Sequence, residues 1–163
     1  MKSPNLEHPS KRRSPSLNNK PYVEIKERVR YSETDQMGVA HNKHYFEWFE
    51  IGRTEFCRKK GFSYKDIEKK GYFLVVAESF CQYKKPLRYD EEILIRVYLR
   101  ESSPKKFIFD YKITSKQKGY VAAQGYTIHV PTDKKAKVTP LPSEIYNKIK
   151  AAKNKIQQKK SQK

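Results

Sequence analysis

Only two cysteines, Cys57 and Cys81, occur in this 163-residue chain, and they stand far apart. They form no C-x-x-C pair and no zinc-ligand spacing, so neither a disulfide framework nor a structural zinc site organises the fold. Reduced thiols in a cytoplasmic protein are the expectation. No apolar run of about 18 residues is present, which excludes a membrane-spanning helix. The opening MKSPNLEHPSKRRSPSLNNKP is basic but has no apolar stretch, which argues against a secretory signal. It is Ser-rich and poor in acid like a transit peptide, yet lacks the amphipathic apolar face. Neither a Gly-rich nucleotide loop nor an HExxH motif appears, so nucleotide-cradling and zinc-protease chemistries have no carrier.

What is abundant is positive charge, a net of +18. Residues 1–21 carry +4 and residues 146–163 carry +7, leaving +7 for the middle. Most of the excess therefore sits in two tails without apolar periodicity, which reads as solvated, disordered chain. The milder positive balance of the middle suits an anionic ligand. The expected organisation is a basic tail over 1–21, one domain over 22–149, and a Lys-rich tail over 150–163, either a fraying polar helix or disordered. One domain of this length holds a real apolar core without staples.

Inside the domain, YVEIKERVRY alternates as a first strand. From Lys43 the apolar residues Tyr45, Trp48, Phe49, Gly52 and Phe56 recur at steps of three and four, which predicts a long helix. A short second helix, SYKDIEKKG, closes at Gly71. Four strand-like runs follow: YFLVVAESFCQYK, EEILIRVYLRE, KKFIFDYKITSK and GYVAAQGYTIHV. The short connections ESSPKK and KQKG predict antiparallel hairpins. A terminal helix starts near Ser143 as its cap. The fold class is α+β: one long central helix wrapped by a five-stranded, mainly antiparallel sheet read as a meander, with Gly52 where sheet and helix approach closely. One helix leaves the first and last strands without cover, which predicts pairing with a second copy, as homodimer or homotetramer.

The stretch YSETDQMGVAHNKHYFEWFEIGRTEF places a carboxylate, a glycine, two histidines and an asparagine at the mouth of that helix. It resembles the signature of the hotdog-fold acyl-CoA thioesterases of the 4-hydroxybenzoyl-CoA thioesterase and YbgC-like group. Tyr31, Thr34, Asp35, Gly38, Tyr45, Trp48, Phe49, Glu50 and the run Gly52 to Glu55 carry the resemblance. Downstream, YKKPLRYDEE (Tyr83 to Glu92) is similar to that family's Tyr-x-x-Pro-x-x-Tyr-Asp segment. Asn42 departs from the family pattern, which has histidine there, and His41 and His44 flank it.

The resemblance implies hydrolysis of an acyl-CoA thioester to a carboxylic acid and CoA, with Asp35 as nucleophile or general base. No cofactor is implied, since CoA belongs to the substrate, and no metal. The oxyanion would be held by backbone amides at the helix N-terminus, from Asn42, Lys43, His44 and Tyr45. Gly38 would let the loop turn close to the ligand. His41, Asn42 and His44 also read as plain capping or solvent-facing residues. An Asp35, His41 and His44 metal site lacks further ligands. Glu78, acidic in an apolar strand, is a possible site-lining residue, though an edge or interface position fits it equally. Lys84, Lys85, Arg88, Lys105 and Lys106 are candidates for CoA phosphates, though a Lys-rich surface is ordinarily just solvated. Alternatives are a hotdog dehydratase or hydratase using His41 or His44 as base, a silent acyl-CoA binder, and a nucleic-acid binder suggested by twelve tyrosines and the charge. No RNP, KH or helix-turn-helix pattern supports the last, so no specific nucleic-acid partner is expected.

Overall fold

A computed structural model describes residue 17 and residues 19–158, with side chains through Ala151. Most of the expected N-terminal tail and the end of the C-terminal one lie outside the described residues. The elements, in chain order, are β1 (Val23–Arg28), α1 (Lys43–Lys59), α2 (Tyr64–Lys69), β2 (Phe73–Tyr83), β3 (Glu92–Ser103), β4 (Lys106–Ser115), β5 (Val121–Thr132) and α3 (Ser143–Gln158). A single 3₁₀ turn, Tyr31–Glu33, stands between β1 and α1.

The sheet order is β1-β3-β4-β5-β2, with every pair antiparallel. The two hairpins β3–β4 and β4–β5 are those the short connections require. The simple meander is corrected, however. β2 does not lie beside β3; the chain crosses from β2 to β3, and β2 pairs with β5. The edges are thus β1 and β2, and the last strand is interior. The expected boundary at 149/150 falls inside α3, whose backbone continues to Gln158. Among the described residues no helix is long and apolar enough to cross a membrane.

Alternation does what period-two strands require. Ile93, Ile95 and Val97 of β3 and Phe107, Phe109, Tyr111 and Ile113 of β4 are buried beneath α1. From α1 come Tyr45, Trp48, Phe49, Phe56 and Cys57. Phe49 stacks on Tyr111 with centroids 4.2 Å apart. Two glycines make the contact this close. A Cβ on Gly52 would stand 2.8 Å from Val97 Cγ2, and one on Gly125 would stand 2.1 Å from the Phe80 carbonyl oxygen and 2.8 Å from the Phe49 ring. The helix is therefore seated against the sheet at a fixed height and rotation, which fixes where its N-terminus opens. Leu141, Ile145 and Ile149 carry α3 onto the same core, and Tyr146 Oη donates to Ser102 O at 3.0 Å.

Candidate active site

The loop between β1 and α1 is held at both ends. Val29 N–H donates to Glu91 O at 3.0 Å, and Ala40 N–H to Leu87 O at 2.8 Å. Between them Thr34 and Ala40 form an antiparallel bridge, Asp35 N–H donates to Val39 O at 2.9 Å, and Gly38 N–H to Asp35 O at 2.9 Å. This tight turn needs a left-handed residue, and Gly38 supplies φ +71°. Asp35 is partly buried. Its Oδ1 accepts the Met37 N–H at 2.8 Å and the Val39 N–H at 3.4 Å. Oδ2 has no partner among the described residues. The carboxylate is pinned through one oxygen and available through the other.

At the helix mouth the four expected amides are not equivalent. Lys43 N–H donates to His41 Nδ1 at 3.3 Å, His44 N–H to His41 O at 3.1 Å and Tyr45 N–H to Asn42 O at 3.3 Å. The Asn42 N–H alone of the four makes no hydrogen bond within the described chain. His41 thus caps the helix, and the Asn42 side chain makes no cap bond. His44 is buried, with Nδ1 2.7 Å from Glu47 Oε2. That hydrogen bond holds the Glu47 carboxyl below its ordinary range.

Asp35, His41, Asn42 and Tyr45 share one open pocket of about 500 Å³ with Val39, Ala40, Tyr83, Lys84, Lys85 and Pro86. Lys43, His44 and Gly38 stand beside the pocket without lining it. Tyr45 packs edge-on against Tyr83 and Trp48, each at 4.9 Å between centroids. Tyr83 Oη donates to Asn42 O at 3.3 Å, tying the end of β2 to the helix mouth. Burial raises the Tyr45 phenol well above its usual range, and burial plus the neighbouring Cys81 pushes Tyr83 up to about 12. Both remain neutral donors near pH 7. The backbone N–H groups of Lys84 and Lys85 converge on Ala122 O at 2.8 and 3.1 Å, so the two side chains leave a fixed backbone at the rim. Arg88 Nη1 donates to Gly38 O at 3.4 Å. Tyr83 was not among the expected site residues, although it begins the second quoted motif.

Glu78 does not join the pocket. Tyr126 Oη donates to its Oε1 at 2.5 Å, on the sheet face opposite α1. The trio able to approach a metal is also not the one considered from sequence. Glu33, His44 and Glu47 bring ligand atoms within 4.8 Å of one another. Each already has a hydrogen-bond partner, and the positive end of α1 disfavours a cation there.

The thioesterase-like superfamily profile matches residues 29–149. YneP of Bacillus subtilis, provisionally named an acyl-CoA thioesterase, is 35% identical over 108 residues, covering 66% of this chain and 78% of its own. A protein of Aquifex aeolicus, provisionally named an esterase, is 34% identical over 130 residues, covering 80% of this chain and 98% of its own. The solved DHNA-CoA thioesterase of Staphylococcus aureus superposes with a TM-score of 0.76 at 31% identity, over 83% of this chain and 91% of that one. The sheet wrapped on one long helix is the hotdog fold implied by the sequence motifs.

Proposed function

The chain belongs to the thioesterase-like superfamily and is a thioester hydrolase; from that premise we propose that it hydrolyses acyl-CoA at the pocket containing Asp35. One observation carries the reading: Asp35 and Asn42 line the same pocket, and among the described residues the Asp35 Oδ2 and the Asn42 N–H have no hydrogen-bond partner. The Asn42 N–H, at the positive end of α1, donates to the developing oxyanion as the thioester carbon becomes tetrahedral. Asp35 either adds its free oxygen to that carbon or takes the proton of an attacking water. The C–S bond then breaks and CoA leaves as thiolate. In the first route water cleaves the resulting anhydride; in the second the acid forms directly. The reaction needs no cofactor beyond the CoA carried by the substrate. Lys84 and Lys85, exposed at the rim, face the anionic nucleotide end of CoA. The dehydratase alternative fits less well, because His44 lies outside the pocket and His41 Nδ1 is occupied as a helix cap.

The test is Asp35→Asn, which keeps size and removes charge. kcat should fall on the order of 10²–10⁴-fold with KM nearly unchanged. A folded Asp35→Asn protein turning over acyl-CoA within a fewfold of wild type would sink the reading.

The assembly follows from the edges. β2 is the longer edge strand, and it exposes Val75 (40%), Val76 (49%) and Phe80 (38%). Such an edge invites pairing with another β2. Because β2 ends at Tyr83, that pairing brings the second copy close to the pocket. Sedimentation should show a dimer or larger at micromolar concentration, and a stable folded monomer would refute it.

A further inference from the structure

We propose that Glu33 is a positioning residue for this hydrolysis, locking the Asp35 loop to the helix that presents the Asn42 amide. The inference rests on the reading of Asp35 given above. Glu33 sits in a short polar turn whose neighbour Tyr31 is 78% exposed, yet Glu33 itself is only 6% exposed. A turn alone gives no reason to bury a carboxylate, since desolvating a charge is costly unless it is well bonded. Among the described residues no lysine or arginine ion-pairs with it. Its partners are N–H groups instead, drawn from three different places.

Glu33 Oε2 accepts the Arg30 N–H at 2.7 Å, at the start of the loop. This is the contact expected of a capping box. Glu33 Oε1 accepts the Trp48 Nε1–H at 3.3 Å, from the second turn of α1. Capping does not account for that bond. The Glu33 backbone oxygen accepts the His41 N–H at 2.8 Å, one residue before Asn42. Trp48 is 1% exposed and packs on Tyr45, which lines the pocket. So one residue is bonded to the entry of the loop, to the exit of the loop and to the body of the helix. Asp35 lies two positions beyond it. The separation between the carboxylate and the oxyanion amide is set through Glu33.

Glutamine cannot replace it. Both partners of the carboxylate are donors, and an amide offers one acceptor oxygen and one NH₂. Either Arg30 N–H or Trp48 Nε1–H must then face another donor. Displacing a catalytic group by about 1 Å can cost about 10²-fold in rate.

Glu33→Gln should lower kcat about 10- to 100-fold while KM for acyl-CoA and inhibition by CoA change less than about threefold. Trp48→Phe, which keeps the ring and removes the N–H, should lower kcat in the same sense. The double variant should be no slower than Glu33→Gln alone, because both changes break one linkage. Additive losses in the double variant would overturn the proposal. So would a lower melting temperature with wild-type kcat per folded protein, which marks a merely structural role. Should Glu33→Gln fail to fold, Trp48→Phe decides: wild-type kcat there overturns the proposal. Asp35→Asn separates the two readings. If it abolishes turnover while Glu33→Gln and Trp48→Phe do not, only the role of Glu33 fails. If Asp35→Asn remains active, the assignment of Asp35 fails first.

Discussion

Replacing Asn42 by proline removes its backbone hydrogen from the pocket, together with a side chain that makes no cap bond. Asn42 has φ −54°, within the range proline imposes, about −65 ± 15°. The position adjoins the first helical residue, where proline is well tolerated. The deleted N–H bonds to nothing in the described chain, so no intramolecular hydrogen bond is lost. The Asn42 carbonyl, which accepts from Tyr45 N–H and Tyr83 Oη, remains. The lost side chain made no cap bond. Stability should therefore hold or rise by about 0.4–1 kcal/mol, through a stiffer unfolded chain. Catalysis should not hold. Removing one oxyanion donor typically costs about 10²–10³ in kcat, roughly 2.7–4 kcal/mol. Asn42→Ala keeps the N–H and should stay within a fewfold of wild type. The assay is thiol release from acyl-CoA, with thermal melting to confirm the fold. Inhibition by CoA would show that the proline ring has not closed the pocket. A folded, CoA-binding Asn42→Pro enzyme with wild-type kcat would refute the assignment. Equal damage from Asn42→Ala would move the role to the side chain.

His129 is fully buried, with Nε2 2.8 Å from Thr127 Oγ1; burial, helped by the charge of Arg53, lowers its pKa from 6.5 to about 4. The folded state thus resists protonation: its contribution is complete above the unfolded pKa and declines as pH falls from 6.5 toward 4, by roughly 3 kcal/mol. Melting temperature against pH should be flatter in His129→Gln than in wild type across that window, and parallel curves would contradict this. Gly125→Ala should prevent folding or lower the melting temperature severely, because the new Cβ meets a backbone oxygen at 2.1 Å. Gly52→Ala should be milder, since Val97 and Ile95 side chains can yield and alanine favours a helix by about 1 kcal/mol. Circular-dichroism melts would check the order, and a reversed order would show that the seat of α1 is misjudged.

The elements were legible where physics is local. The alternation Phe107, Phe109, Tyr111, Ile113 and the helical spacing Tyr45, Trp48, Phe49, Phe56 each report a buried face directly. Short connections fixed β3, β4 and β5 as neighbours. The place of β2 was not legible, because its partner β5 is distant in sequence and its run of apolar residues suits either edge or centre. Glu78 lies on that edge strand, one of the two positions its residue type allowed, and the sequence could not choose between them for a related reason. A bulge between Val76 and Glu78 shifts the alternation of β2, and a bulge leaves no mark in a single sequence. Gly125 carried no signal either, since its close approach to Phe80 exists only once β2 and β5 pair.

The site divides along the same line. Residue types at the helix mouth pointed to thioester chemistry through the family motif, and the structure gathers Asp35, His41, Asn42 and Tyr45 into one pocket. What the motif does not encode is which N–H is left over. That depends on a competition within one turn: His41 Nδ1 takes the Lys43 amide, His41 O the His44 amide and Asn42 O the Tyr45 amide. Each is an ordinary capping contact, and together they leave the Asn42 N–H as the one of the four without a partner among the described residues. The histidines that suggested acid–base catalysis thus act, on this geometry, one by capping and the other through Glu47. In the proposed mechanism Asn42 contributes its backbone. A histidine or an asparagine at position 42 would offer the same amide, so under that proposal the departure from the family pattern changes the pocket wall and not the oxyanion donor.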